Sequence, residues 1–258
     1  MTDDRGPIAI VTGAGRGIGR AIAEHLAADG CRLELANLDQ GELDEVVTAL
    51  GPAVIGARAF DLRDRAATDA WLAELGARHA RIDQLVLNAG VGGPDPVDDD
   101  LALAHLRELC AVDALAPFRI VRGLAPVIRS DGLGRIVVVA SVLGKMGVAG
   151  FAAYCAAKAA AIGLVRALAL DLAPRRITVN AVCPGWTDTA MAEQGFAALA
   201  ASQGRTPAEA RRQVEKGLPL GRIVRPEEVA SLVAWLLSEG AGAMTGQALT
   251  MSAGDLQK

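Results

Sequence analysis

Thr12-Gly13-Ala14-Gly15-Arg16-Gly17-Ile18-Gly19 stands between a short apolar run, Ile8 to Thr12, and a segment of helical periodicity, Gly17 to Ala28, that stops at Gly30. The run is bounded by Pro7 and Gly13 and reads as a buried strand. Glycine at this density lets the chain turn sharply from strand into helix. It also lets backbone N–H groups approach a phosphate at the helix end that carries partial positive charge. Any tight strand-to-helix turn uses glycine. Here the cluster opens the first β-α-β unit, the context in which a dinucleotide fingerprint works.

Outward from this turn the pattern alternates strand and helix to the end of the chain. Strands are predicted at Arg32 to Asn37, Ala53 to Phe60, Leu85 to Leu87, Arg135 to Ala140, Thr178 to Val182 and Gln247 to Met251. Helices are predicted at Gln40 to Leu50, Arg63 to Ala80, Leu101 to Ile128, Ala152 to Ala173 and Pro226 to Leu237, with a mixed segment of short helical pieces over residues 189 to 218. Seven strands separated by helices imply right-handed crossovers and a parallel sheet with helices on both faces. The fold expected is α/β: one doubly wound Rossmann-type domain over residues 1 to 258, with no repeat and no linker.

Composition supports this and excludes other classes. Of 258 residues, 52% are apolar but only 3% aromatic, so Ala, Val and Leu fill the interior. That suits helices packed closely on a sheet better than an aromatic-rich sandwich. A net charge of −4 without a basic stripe argues against a nucleic-acid partner. No apolar run of membrane-spanning length is expected. The start, Met1-Thr2-Asp3-Asp4-Arg5, lacks the basic and apolar regions of a signal peptide, so a cytoplasmic protein is expected. Cys31, Cys110, Cys155 and Cys183 form no C-x-x-C pair and lie away from His25, His79 and His105 at any zinc spacing; four reduced thiols and no metal are expected.

Tyr154-Cys155-Ala156-Ala157-Lys158 carries the chemistry. Tyr154 is the only tyrosine, and Lys158 lies one turn on, on the same helix face. A free phenol ionises near pH ~10 and is a poor acid/base at neutrality; an ammonium beside it stabilises the phenolate. Ser141 ends the fifth strand, at the carboxyl edge of the sheet where ligands bind. A hydroxyl there can hold a substrate oxygen while Tyr154 moves the proton.

The glycine turn with the spacing T-G-x-x-x-G-x-G, Ser141, Tyr154 and Lys158 together resemble the short-chain dehydrogenase/reductase family, in order and over essentially the whole chain. The resemblance implies an NAD(P)-dependent oxidoreductase that interconverts a secondary alcohol and a ketone. In it Tyr154 moves the proton, Ser141 orients the substrate oxygen, and Lys158 supports the phenolate and binds the nicotinamide ribose. It further implies cofactor contacts from Gly13, Gly15, Arg16, Gly17, Ile18 and Gly19. Asn37 stands where the adenosine ribose is read. The family's NAD-preferring members usually carry Asp there, and Leu38, which follows, is not the basic residue of NADP-preferring members. NAD is the favoured cofactor and NADP the alternative.

The same resemblance places Asp61 near the adenine, or as the cap of the next helix, with Leu62 beside it. Asn88-Ala89-Gly90 lies beside the cofactor, and Pro184-Gly185-Trp186-Thr187-Asp188-Thr189 closes over it, with Thr189 reaching the carboxamide or a phosphate. Asp113 replaces the Asn of the family's proton relay. It either acts through its charge on Lys158, or only its backbone carbonyl matters. Residues 190 to 218 match the family's substrate lid, with Met191, Phe196, Leu199 and Leu218 as candidate pocket residues and Gly195 and Gly204 as hinges. The segment's length is similar to that of aromatic-polyketide ketoreductases and some cyclic-alcohol dehydrogenases, which implies a bulky, largely apolar ketone or secondary alcohol. The resemblance also implies a homotetramer. Three other readings remain: a 3-oxoacyl-thioester reductase, a regulatory cofactor binder that has lost catalysis, and an extended-branch epimerase or dehydratase, whose larger C-terminal region this chain lacks.

Overall fold

The computed structural model describes residues 6–94 and 102–256. The Met1–Arg5 stretch and Leu101, the expected first residue of the long helical region, lie outside the described residues. In chain order the elements are β1 (Ile8–Thr12), α1 (Gly17–Ala28), β2 (Arg32–Asn37), α2 (Gln40–Leu50), β3 (Val54–Ala59), α3 (Arg65–Arg78), β4 (Gln84–Leu87), α4 (Ala102–Cys110) and α5 (Ala116–Leu124). They continue as β5 (Arg135–Val139), α6 (Ala152–Leu172), β6 (Thr178–Pro184), α7 (Ala190–Gln203), α8 (Pro207–Gly217), α9 (Pro226–Leu237) and β7 (Ala248–Met251).

The seven strands form one sheet in the order β3-β2-β1-β4-β5-β6-β7, and every pairing is parallel. The doubly wound α/β architecture is therefore present. Successive side chains of one strand enter opposite layers. Ala9 and Val11 of β1 join the apolar layer that holds Leu26 and Val233. Ile10 between them joins the layer that holds Leu75 and Val165. Burial on both faces is why β1 and β5 read as unbroken apolar runs rather than alternating ones. β1 lies between β2 and β4, so the winding direction reverses there, and a crevice opens beyond the carboxyl ends of β1 and β4.

Four local expectations need correction. The long helix over residues 101 to 128 is divided into α4, a π-helical turn at Ala111–Leu115, and α5. Pro117 explains the division. In a continuous α-helix residue 117 would donate to the Asp113 carbonyl, but proline has no N–H and its ring crowds that carbonyl. Second, α3 is capped by Asp64, whose side chain accepts from the Ala67 N–H at 3.1 Å. Asp61 is not the cap; it accepts from the Arg63 N–H at 2.8 Å and pairs with the Arg63 side chain. Third, residues 190 to 217 hold two regular helices, each started by a threonine cap, Thr189 and Thr206. Fourth, Ala152–Arg175 is long and apolar enough to cross a membrane, where no such run is expected. In the structure this stretch packs on the sheet through Ala157, Ala161, Val165 and Ala169, all buried.

Candidate active site

The glycine turn is held by β4 as well as by its own chain. The Thr12 hydroxyl accepts from the Asn88 and Ala89 N–H groups, both at 3.1 Å. The Asn88 amide in turn donates to the carbonyls of Thr12 at 3.1 Å and Gly13 at 3.0 Å. Gly13 adopts φ +65°, and a Cβ there would lie 2.8 Å from the Ala89 Cα. Thr12 is thus a site residue that the spacing argument passed over, although it opens the motif. Gly17 lies against Thr189, the cap of α7, whose Cγ2 would be 3.2 Å from an added Cβ.

A cavity of about 540 Å³ runs from this turn across the carboxyl ends of β1 and β4. Of the expected cofactor residues, Gly13, Arg16, Gly17, Ile18, Gly19, Asn37, Asp61, Leu62, Asn88, Ala89, Gly90 and Thr189 line it, together with Tyr154 and Lys158. The two ends of the predicted site, glycine turn and Tyr-Lys pair, therefore share one space long enough for an extended ligand. Backbone N–H groups at the turn and polar side chains at both ends suit a dinucleotide.

Gly15, Pro184, Gly185 and Thr187 do not line it. The Gly15 N–H is turned inward to the Asn37 side chain at 3.2 Å. Gly185 donates to the Met251 carbonyl at 2.9 Å, and the buried Thr187 hydroxyl donates to the Gly185 carbonyl at 3.0 Å. These residues fix the loop that presents Thr189.

At the adenosine end Asn37 is buried and already bonded. Its amide donates to the Asp39 carbonyl at 2.9 Å and to Glu42 at 3.2 Å. Glu42 also pairs with Arg16 at 3.1 Å. Four carboxylates, Asp39, Glu42, Asp61 and Glu108, and two guanidinium groups, Arg16 and Arg63, stand around this part of the cavity. Glu42 and Arg63 were not singled out from sequence; Glu42 sits one turn into α2, where only the fold brings it back onto Asn37.

At the other end Tyr154 is half-buried and its ring packs on Gly92, where an added Cβ would lie 2.8 Å from Cε2. The Lys158 ammonium lies 5.6 Å from the ring centroid. It is buried and donates to Asp113 Oδ1 at 2.9 Å. Burial disfavours the ammonium, but the Asp113 carboxylate, with Tyr154 adding to it, outweighs that and holds Lys158 above its ordinary value. Burial pushes the Asp113 carboxyl up, against the opposing influence of Lys158 and the Val91 N–H.

Ser141 follows β5 and is buried; its Oγ accepts from the Leu143 N–H at 3.1 Å. Its neighbour Ala140 lines the cavity and Ser141 itself does not. Of the expected pocket residues only Met191 lines the cavity. Phe196 is fully buried and stacks on Trp186 at 4.7 Å between centroids. Leu199 and Leu218 also pack on the core. Gly195 sits against the Trp186 ring rather than in open space, and Gly204 ends α7 at φ +62°. Arg211 is paired with Asp188, Glu193 and Glu215, which occupies it. Cys31 and Cys183 are buried and Cys110 and Cys155 half-buried, all four unpaired; burial pushes the Cys31 thiol up to about 11.

A family profile described as enoyl-(acyl carrier protein) reductase matches residues 13–255. A ketoacyl reductase named for monensin polyketide synthase, from Streptomyces virginiae, is 37% identical, with 98% of each chain covered. A 3-oxoacyl-[acyl-carrier-protein] reductase from Salmonella typhimurium is 34% identical, covering 96% of this chain and 97% of the relative. Among solved structures, a single-residue variant of actinorhodin polyketide ketoreductase with NADPH superposes with a TM-score of 0.89 at 34% identity, over 98% of both chains.

Proposed function

The chain belongs to the short-chain dehydrogenase/reductase family, nicotinamide-dependent oxidoreductases that interconvert ketones and secondary alcohols, and on that premise we propose that Ser141, Tyr154 and Lys158 carry the reaction here. The observation that carries the assignment is the single cavity lined by the glycine turn, Tyr154 and Lys158. A nicotinamide bound there supplies or accepts the hydride. The Tyr154 hydroxyl donates a proton to the carbonyl oxygen in reduction and takes it back in oxidation. Ser141, whose hydroxyl proton is not committed to Leu143, donates to that oxygen and orients it. Lys158 stabilises the phenolate and faces the ribose hydroxyls. Gly13, Gly17 and Gly19 with Thr189 frame the pyrophosphate, and Asn37, Asp61 and Leu62 frame the adenosine.

For the cofactor we favour NADH. The carboxylates at the adenosine end outnumber the guanidinium groups, and Glu42 already neutralises Arg16, so a 2′-phosphate meets repulsion there. The actinorhodin ketoreductase was solved with NADPH, which makes this a sharp test. The ratio of kcat/KM for NADH over NADPH is expected to exceed ten, and Glu42→Ala is expected to lower it. A wild-type ratio below one overturns the preference.

The substrate we infer is a bulky, largely apolar ketone of the 3-oxoacyl or polyketide kind, on the strength of full-length similarity to ketoacyl reductases. α7 and α8, residues 190 to 217, form the lid over it, with Met191 facing the cavity. Loss of nicotinamide absorbance with NADH and a panel of 3-oxoacyl thioesters and cyclic ketones tests this. Tight cofactor binding without turnover across the panel would favour the regulatory reading.

Unpaired thiols suit a reducing cytoplasm. Leu103 on α4, Leu115 in the π turn, Phe118 on α5 and Leu170 on α6 are exposed, and a homotetramer would cover them. Light scattering is expected to give four times the 26.5 kDa chain mass; a monomer at micromolar concentration contradicts it.

A further inference from the structure

The π-helical turn at Ala111–Leu115 widens the helix where Pro117 cannot continue it, and in this turn the Asp113 side chain is buried against α6. One carboxylate oxygen accepts from Lys158 at 2.9 Å. The other, Oδ2, is buried and, among the described residues, receives no hydrogen bond of good geometry. The backbone opposite leaves the pair no slack: an added Cβ at Gly90 would lie 2.7 Å from Asp113 Oδ1 and 3.0 Å from Lys158 Nζ. The other groups facing the pair add little opposing charge. Cys183 on β6 has its thiol pushed up by burial and stays neutral, Tyr154 lies on α6, and Glu108 of α4, which lines the same cavity, is paired with Arg63.

We infer that Asp113 is the buried counter-ion of Lys158, a positioning residue that fixes the ammonium and cancels part of its field on the reacting phenol. This deepens the proposed reading and rests on it. An amide at this position would leave the ammonium's charge undivided and stabilise a developing phenolate more strongly. With a carboxylate there, the phenol keeps the protonated form that ketone reduction consumes up to a higher pH.

Two measurements test this. In Asp113→Asn the high-pH limb of kcat/KM for ketone reduction is expected to move down by about one pH unit; a limb that stays in place overturns the inference. The second readout needs no cofactor and no activity. Lys158→Met leaves a buried carboxylate without its partner, and is expected to lower Tm by about 6–20 °C. The double variant Lys158→Met, Asp113→Asn is expected to regain most of that loss, because it removes the stranded charge. A double variant no more stable than Lys158→Met also overturns the counter-ion. If the wild-type protein turns over no ketone, the proposed function fails, and the melting comparison still decides the ion pair independently.

Discussion

Tyr154→Phe is expected to lower kcat for ketone reduction by about 10²–10⁴-fold while leaving cofactor affinity within about twofold. The substitution removes one oxygen and keeps the ring. The ring is what packs on Gly92 and lies near the Lys158 ammonium, so the cavity wall keeps its shape. Lys158 remains tied to Asp113, and no buried group loses a partner. What disappears is the proton that must reach the carbonyl oxygen as hydride arrives. Ser141 does not substitute for it: its hydroxyl can hydrogen-bond the oxygen, with Oγ still accepting from the Leu143 N–H, but an aliphatic hydroxyl is far too weak an acid to give up its proton. Steady-state rates against ketone, paired with a fluorescence titration of the dinucleotide, separate the two effects. Activity within tenfold of the wild type would remove Tyr154 from the proton's path. A matching loss of cofactor affinity would mean the ring, rather than the hydroxyl, is the residue's contribution.

The parts of this site legible in the sequence are those fixed by short spacing. A Tyr and a Lys four apart share a helix face whatever the rest of the chain does, and a glycine cluster after an apolar run must be a tight turn. The sheet followed from the same logic, since strands buried on both faces show as unbroken apolar runs such as Ile136 to Val139. What escaped depends on which of several equivalent partners a residue meets in three dimensions. Both Asp61 and Asp64 precede α3 and either is a good cap; Asp61 is instead taken by Arg63. Phe196 has the character of a pocket residue, but Trp186 lies within stacking distance and draws it into the core. Asn37 reads as a free ribose contact until Gly15, Asp39 and Glu42 are seen to occupy its amide. The division of the long helix was legible in principle: Pro117 removes the donor that Asp113 would need, and the apolar periodicity across it conceals the break.

The other large effect is steric and lies at the opposite end of the cavity. A Cβ on Gly19 would fall 1.9 Å from the Gly13 carbonyl oxygen and 2.4 Å from the Asn88 side-chain nitrogen. The first is backbone, and it is also the acceptor of the Asn88 amide, which ties the turn to β4. Gly19→Ala therefore cannot be absorbed by a side-chain rotation: either α1 moves away from the turn or the Gly13–Asn88 bond breaks. Overpacking of this kind costs about 1–3 kcal/mol, and a buried amide left unsatisfied costs a similar amount. At about 2–4 °C per kcal/mol, either outcome is expected to lower Tm by roughly 2–12 °C. Cofactor affinity is expected to fall at least about tenfold, since 1.4 kcal/mol of misplaced phosphate contact suffices for that. Gly76→Ala is the control. Gly76 lies inside α3 with nothing near an added Cβ, so alanine there is expected to raise stability by about 0.5–1 kcal/mol through helix propensity alone. Opposite signs at two helical glycines would show that close approach, and not helix propensity, sets the requirement at Gly19. Equal and small effects at both would mean that the turn adapts freely and that its rigidity plays no part in holding the cofactor.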